Sequence, residues 1–130
     1  MAPVLPGARI YYNDAPAFRD SVRKIVRDVT VWGQVWAQAT STQRPPPPLP
    51  LIDFGREMVV AVGAGRMNPG DEIHVDSVGV RGGFFEILVR TVEECQTFPT
   101  DVYPLEIVRV TWSDRPPNFV ERRERAAHCQ

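Results

Sequence analysis

Residues 51–75, LIDFGREMVVAVGAGRMNPGDEIHV, decide how this chain folds. From Glu57 to Gly65 the run is continuous, apolar and β-branched, the pattern of a strand buried on both faces. From Asp71 to Val80 the pattern alternates, with Ile73 and Val75 on one side and Glu72, His74 and Asp76 on the other. Between them lies a corner with Gly63, Gly65 and Gly70. A phosphate-binding loop leads its glycines into a helix N-terminus, whose free N–H groups meet the anion. Here the glycines lead into a strand, Asp71 and Glu72 repel an anion, and neither G-x-G-x-x-G nor G-x-x-x-x-G-K is spelled. Asn68-Pro69-Gly70-Asp71 instead suits a turn, with Pro69 presetting φ and Gly70 supplying a positive one.

Working outward, Gly82-Gly83 predicts a hairpin turn into a second alternating strand over 82–92, with Phe85, Ile87 and Val89 opposed by Glu86 and Arg90. Residues 103–112, YPLEIVRVTW, read as another strand. NFVERRER (118–125) reads as a charged edge strand. Upstream, Arg9–Tyr12 is strand-like, and SVRKIVRD (21–28) fits a strand or a first helical turn. Asp28 is a candidate N-cap for a helix in which Val29, Trp32, Val35, Trp36 and Ala39 form one apolar stripe. Gln43–Pro50, QRPPPPLP, is an extended polyproline segment, read as a stiff connector rather than a docking motif for a partner groove. The fold expected is α+β: one helix in the N-terminal half, packed on a largely antiparallel sheet of five to six strands. A single domain over 1–130 is expected, with an arm at 1–17, the connector at 43–50, and an edge strand and tail at 113–130.

The chain has 130 residues, 43% hydrophobic and 24% charged, with a net charge of −1. These values describe an ordinary globular domain and give no basic footprint for nucleic acid. No apolar run is long enough to span a bilayer, and MAPVLPGARIYYND lacks the charged start and apolar core of a signal peptide. Either the protein remains in the cytoplasm or the chain begins after a removed signal.

Glu72, His74 and Asp76 share a strand face and would suit a metal, but the same pattern marks a solvated face, and no metal ligand set and no cofactor are assigned. Cys95 with His74 or His128 would suit nucleophilic chemistry, yet pairing with Cys129 removes the nucleophile, and no catalytic residue is assigned. From the residues alone the two cysteines could be bridged or reduced. Trp32 and Trp36 fall on the helix stripe and are read as core rather than as a recognition surface. Arg122, Arg123 and Arg125 interleave with Glu121 and Glu124 as a mixed-charge, solvated segment.

The order of these words carries a resemblance. IVRDVTVWGQVW is followed by a proline-rich spacer, then LIDFGREMVVAVGAG, PGDEIHV, a Cys segment, YPLEIVRV and NFVERRERAAHC. Over about residues 18–129 the chain resembles the C-terminal domain family of the bacterial protease complex subunit PrcB, most specifically at Ile52-Asp53-Phe54 with Glu57-Met58. The family's usual Thr-Gly-Gly-Tyr-Ser corner stands here as Asn68-Pro69-Gly70-Asp71-Glu72. The resemblance implies an exported or envelope-associated bacterial protein whose signal has been removed, and with it a Cys95–Cys129 bridge. It implies a non-catalytic protein-interaction module whose partner is an extracytoplasmic protease. Within that reading the corner Arg66, Asn68, Pro69, Gly70, Asp71 and Glu72 is the partner-facing loop. Asp53 accepts N–H groups in its turn and Phe54 packs beneath the sheet. The alternatives are a loop-inserting protease inhibitor, and a metal- or small-ligand-binding protein.

Overall fold

The computed structural model describes residues 2–4 and 8–129; Met1, residues 5–7 and Gln130, which the expected domain bounds include, lie outside them. The elements run β1 (Ala2–Pro3), β2 (Arg9–Asn13), β3 (Ser21–Val26), α1 (Val29–Ala39), β4 (Glu57–Ala64), β5 (Glu72–Arg81), β6 (Phe84–Glu93), β7 (Leu105–Thr111) and β8 (Pro117–Arg125). Among the described residues the fold is α+β with one helix, as expected, but the strands divide into two four-stranded sheets rather than one sheet of five to six. One has the order β1-β5-β6-β8 and the other β2-β7-β4-β3.

The reason lies in β4. Every residue from Met58 to Gly63 is buried, and successive side chains leave the strand on opposite faces. Both faces therefore need a cover, and one helix covers only one. Val59 and Ala61 pack with Leu105 and Ile107 of β7 against Trp32, Val35, Trp36 and Ala39 of α1. Met58, Val60 and Val62 turn the other way, onto Ile73 and Val75 of β5 and Phe85, Ile87 and Val89 of β6. The molecule thus has three layers, helix on sheet on sheet, with the β2-β7-β4-β3 sheet in the middle.

That middle sheet is antiparallel throughout, so a doubly buried strand here needs no parallel order. In the outer sheet β8 runs parallel to β6, against the expectation from consecutive strands. After β6 the chain leaves for the middle sheet as β7, then returns beside β6 in the original direction. SVRKIV settles as strand β3, paired from Ser21–Ala64 to Val26–Val59.

Asp28 caps α1, accepting the Val31 N–H at 2.8 Å. The two tryptophans bury their rings beneath the proline tract and pin it: Trp32 Nε1 donates to the Pro50 carbonyl at 3.0 Å and Trp36 Nε1 to that of Pro47 at 3.1 Å. Proline carbonyls suit this role because the tract makes no hydrogen bonds within itself. In the 53–57 turn the Asp53 side chain accepts the Gly55 N–H, and its carbonyl accepts those of Arg56 and Glu57. Phe54 packs into the helix-side core.

Candidate functional site

Two constellations stand out. The first lies where the sheets meet at the free part of β5. A bulge at Asp76 interrupts the pairing with β6: Val75 faces Val89, and Ser77 faces Leu88. Among the described residues β1 pairs with β5 at Ser77 and Val78, and the Val4 N–H just after it donates to the Asp76 carbonyl at 2.8 Å. The edge N–H groups before the bulge therefore meet side chains of the middle sheet. Ile73 N–H donates to Tyr12 Oη at 3.2 Å and Val75 N–H to Glu106 Oε1 at 2.8 Å.

Glu106 is 3% exposed. Its Oε2 accepts from Arg9 through Nε at 3.0 Å and Nη2 at 2.7 Å, and lies 3.0 Å from His74 Nδ1. His74 Nε2 lies 2.8 Å from Glu72 Oε1. The imidazole stacks on Tyr12 at 5.5 Å, and the Arg9 guanidinium sits over the same phenol at 4.8 Å. Only the protonated imidazole can donate to both carboxylates at once. The Glu106 hydrogen bond raises His74 above its ordinary value, against the desolvation that lowers it, and Glu72 adds to the rise. Burial pushes Glu106 up, but the bonds from His74, the Val75 N–H and Arg9 outweigh it and hold the carboxyl below its ordinary range. Burial, chiefly, pushes Tyr12 up to about 12. Beside this group is a cleft of about 320 Å³, lined in part by Val4, Arg9, His74, Asp76, Arg90 and Glu106. Among the described residues no buried side-chain nitrogen or oxygen lacks a partner, so the group reads as a saturated polar stitch between the sheets.

The second constellation gathers the glycine corner, the segment after β6 and the C-terminal tail. Gly65 and Gly70 adopt φ of 72° and 91°. A Cβ on Gly65 would press on the Ser21 nitrogen at 3.2 Å, so the corner needs glycine there for its conformation and for close approach. Asp71 turns inward, 5% exposed, and accepts the Asn68 N–H at 2.9 Å and the Glu94 N–H at 2.6 Å. Met67 pairs with Val102 across the loop. Cys95 and Cys129 form a disulfide, and His128 Nε2 lies 2.5 Å from Glu94 Oε1. The corner, the segment after β6 and the end of β8 wall an open cleft of about 650 Å³, to which Arg66, Asn68, Cys95, Asp101, Arg123 and Arg125 contribute. A second hollow, against Pro69, Gly70, Phe98 and His128, adjoins it, and Phe98 is half exposed.

The sequence-predicted residues fall as follows. Arg66, Asn68, Pro69 and Gly70 line the joint surface. Asp71 reaches the same cleft and also clamps the corner from within, and Glu72 is committed to His74. Of the Glu72–His74–Asp76 face, Glu72 and His74 make direct contact, while Asp76 lines the same cleft as His74 but pairs with Arg90 at 2.8 Å. Arg90 also reaches Glu124. Glu106, 3.0 Å from His74, is a site residue that the sequence reading leaves out; its signal is the lone acid inside the largely apolar run LEIVRV. Ionisable groups gather at both places: His74 meets two carboxylates, and Glu94, Cys95, His128 and Cys129 bring their donor atoms within 4.8 Å of one another. Trp32 and Trp36 are core, 1% and 7% exposed. Among the described residues no helix is long and apolar enough to cross a membrane. Comparison with known proteins finds no matching family model, no matching curated protein and no matching solved structure.

Proposed function

We propose that this domain is a non-catalytic, exported protein-interaction module that stabilises a complex, with an extracytoplasmic protease as partner, in the manner of the PrcB-like domains its sequence resembles. The observation that carries the reading is the continuous surface made by the corner and the disulfide-tied tail. It combines an open cleft, an exposed Phe98 and several arginines on a backbone held by Asp71 and by the bridge. Rigid loops with an aromatic and arginines at their rim suit protein recognition, because little entropy is lost when they are covered. The disulfide agrees with an oxidising compartment. Saturation of the polar stitch and closure of both thiols in a bridge favour the non-catalytic reading over an enzyme.

The experiment places a photo-crosslinking residue at Arg66 or Phe98, and in parallel at Val80 and Val120 on other exposed ground. In the native envelope fraction one stoichiometric adduct is expected from the first pair and none from the second. Equal labelling from all four positions, or from none, removes the reading. If the captured partner is a protease, its hydrolysis of small peptides should be unchanged by the domain; a block would make the domain an inhibitor instead.

A further inference from the structure

The disulfide has company that a purely covalent clamp does not need. Glu94 and Cys95 follow directly on β6, which ends at Glu93. His128 and Cys129 lie in the tail, which is fixed by Ala126 N–H to the Glu93 carbonyl at 2.9 Å and Cys129 N–H to the Ala126 carbonyl at 3.0 Å. Glu94 Oε1 is the hub: it lies 2.5 Å from His128 Nε2, 3.5 Å from Cys95 Sγ and 4.0 Å from Cys129 Sγ. All four donor atoms fall within 4.8 Å of one another. A tetrahedral zinc ion with sulfur ligands at about 2.3 Å and nitrogen or oxygen ligands near 2.0 Å sets its donors roughly 3.3–3.8 Å apart. The set is therefore of the right kind, number and spacing once the sulfur–sulfur bond is open.

We infer that, with the bridge reduced, Cys95, Cys129, His128 and Glu94 form a zinc site, so that the tail is held by a covalent clamp when oxidised and by a coordinate one when reduced. The balance is simple. A dithiol reductant transfers two electrons and two protons to the Cys95–Cys129 bond and itself becomes a disulfide. Zn²⁺ then displaces the two thiol protons to solvent and binds the thiolates, with no change in its own oxidation state. Two thiolates, a carboxylate and a neutral imidazole sum to −3, which Zn²⁺ reduces to −1. The guanidiniums of Arg66, Arg123 and Arg125 line the adjoining cleft together with Cys95 and Glu94 and favour the remaining negative charge. The donors sit at a strand end and in an exposed tail turn, where the sulfurs can separate without disturbing the core. This inference goes beyond the docking role and stands without it.

The test reduces the full chain with a non-thiol phosphine, removes the reductant anaerobically, and titrates zinc against a chromophoric chelator. One equivalent per chain is expected for the reduced protein and none for the oxidised one. Cobalt in place of zinc should give the visible bands of a tetrahedral site with sulfur-to-metal charge transfer. His128→Ala and Glu94→Gln should each weaken zinc at least ~10-fold. Their oxidised forms, melting like the wild type, show that the loss is not misfolding. Less than half an equivalent on the reduced protein overturns the site. So does unchanged affinity in both variants, since two thiolates alone would then account for the binding.

Discussion

Replacing Glu106 by alanine removes the acceptor at the centre of the polar stitch. The buried Val75 N–H, 2.8 Å from Oε1, loses its partner, which costs about 1–3 kcal/mol. The Arg9 pair is the weaker part: the arginine side chain is 45% exposed, so water takes over and the loss is no more than about 1 kcal/mol. His74 loses one of its two carboxylates, a further loss of about 1 kcal/mol. Together the change should destabilise by roughly 3 kcal/mol and lower the melting temperature by about 10 °C for a chain of this size. Glu106→Gln keeps an oxygen for the Val75 N–H but drops the charge, and should lose about half as much. Urea and thermal unfolding at pH 6 measure both. A Glu106→Ala loss below about 0.5 kcal/mol would show that the carboxylate does not hold the sheets together.

The same group sets a pH dependence. His74 is raised above 6.5 in the folded state, so its contribution is complete below pH 6.5 and fades as pH rises through the raised value. Glu106 is lowered from 4.5, so its contribution is complete above pH 4.5 and fades as pH falls through the lowered value. Stability should therefore peak between those ordinary values, and the alkaline decline should vanish in His74→Gln; an unaltered decline in a pH series of urea melts would assign it to another group. Reduction of the native chain should add two daltons to its intact mass, and Cys95→Ser should cost roughly 3–4 kcal/mol in the loop-closure view; a loss under 1 kcal/mol would mean that the tail is held by its other contacts. Trp32→Phe should lose about 1 kcal/mol through the bond to the Pro50 carbonyl, while Trp32→Ala should lose about 3–5 kcal/mol; equal melts for the two would discount packing. Gly70→Ala should destabilise by about 1–2 kcal/mol, since φ is 91° and the added carbon would sit 3.3 Å from Glu94 Cγ; an unchanged melt would show that the corner relaxes freely.

Much of the architecture was legible where one residue's neighbours in sequence decide its state. The α1 stripe, its Asp28 cap, the Gly82-Gly83 hairpin and the doubly buried β4 are local patterns, and each forms as its pattern demands. The number of sheets was a consequence waiting in β4, because a strand with two apolar faces needs two covers. A bulge was also written in β5: the apolar phase runs Ile73, Val75, then Val78, skipping one position at Asp76.

Other features are decided only by chain segments far apart. His74 meets Glu106 because β5 and β7, each inside its own sheet, meet where the two sheets pack, a contact between residues 32 apart that no local pattern encodes. Parallel pairing of β8 with β6 depends on where β7 is placed, and the indole bonds to Pro47 and Pro50 depend on the tract folding back over α1. Periodicity thus marks the apolar residues of the core and the helix or strand state of most stretches, though not of SVRKIV and not the burial of Glu106 or Asp71. Which acid lies beside which base is set by the packing of layers, since electrostatic contact falls with distance in space and is blind to distance along the chain.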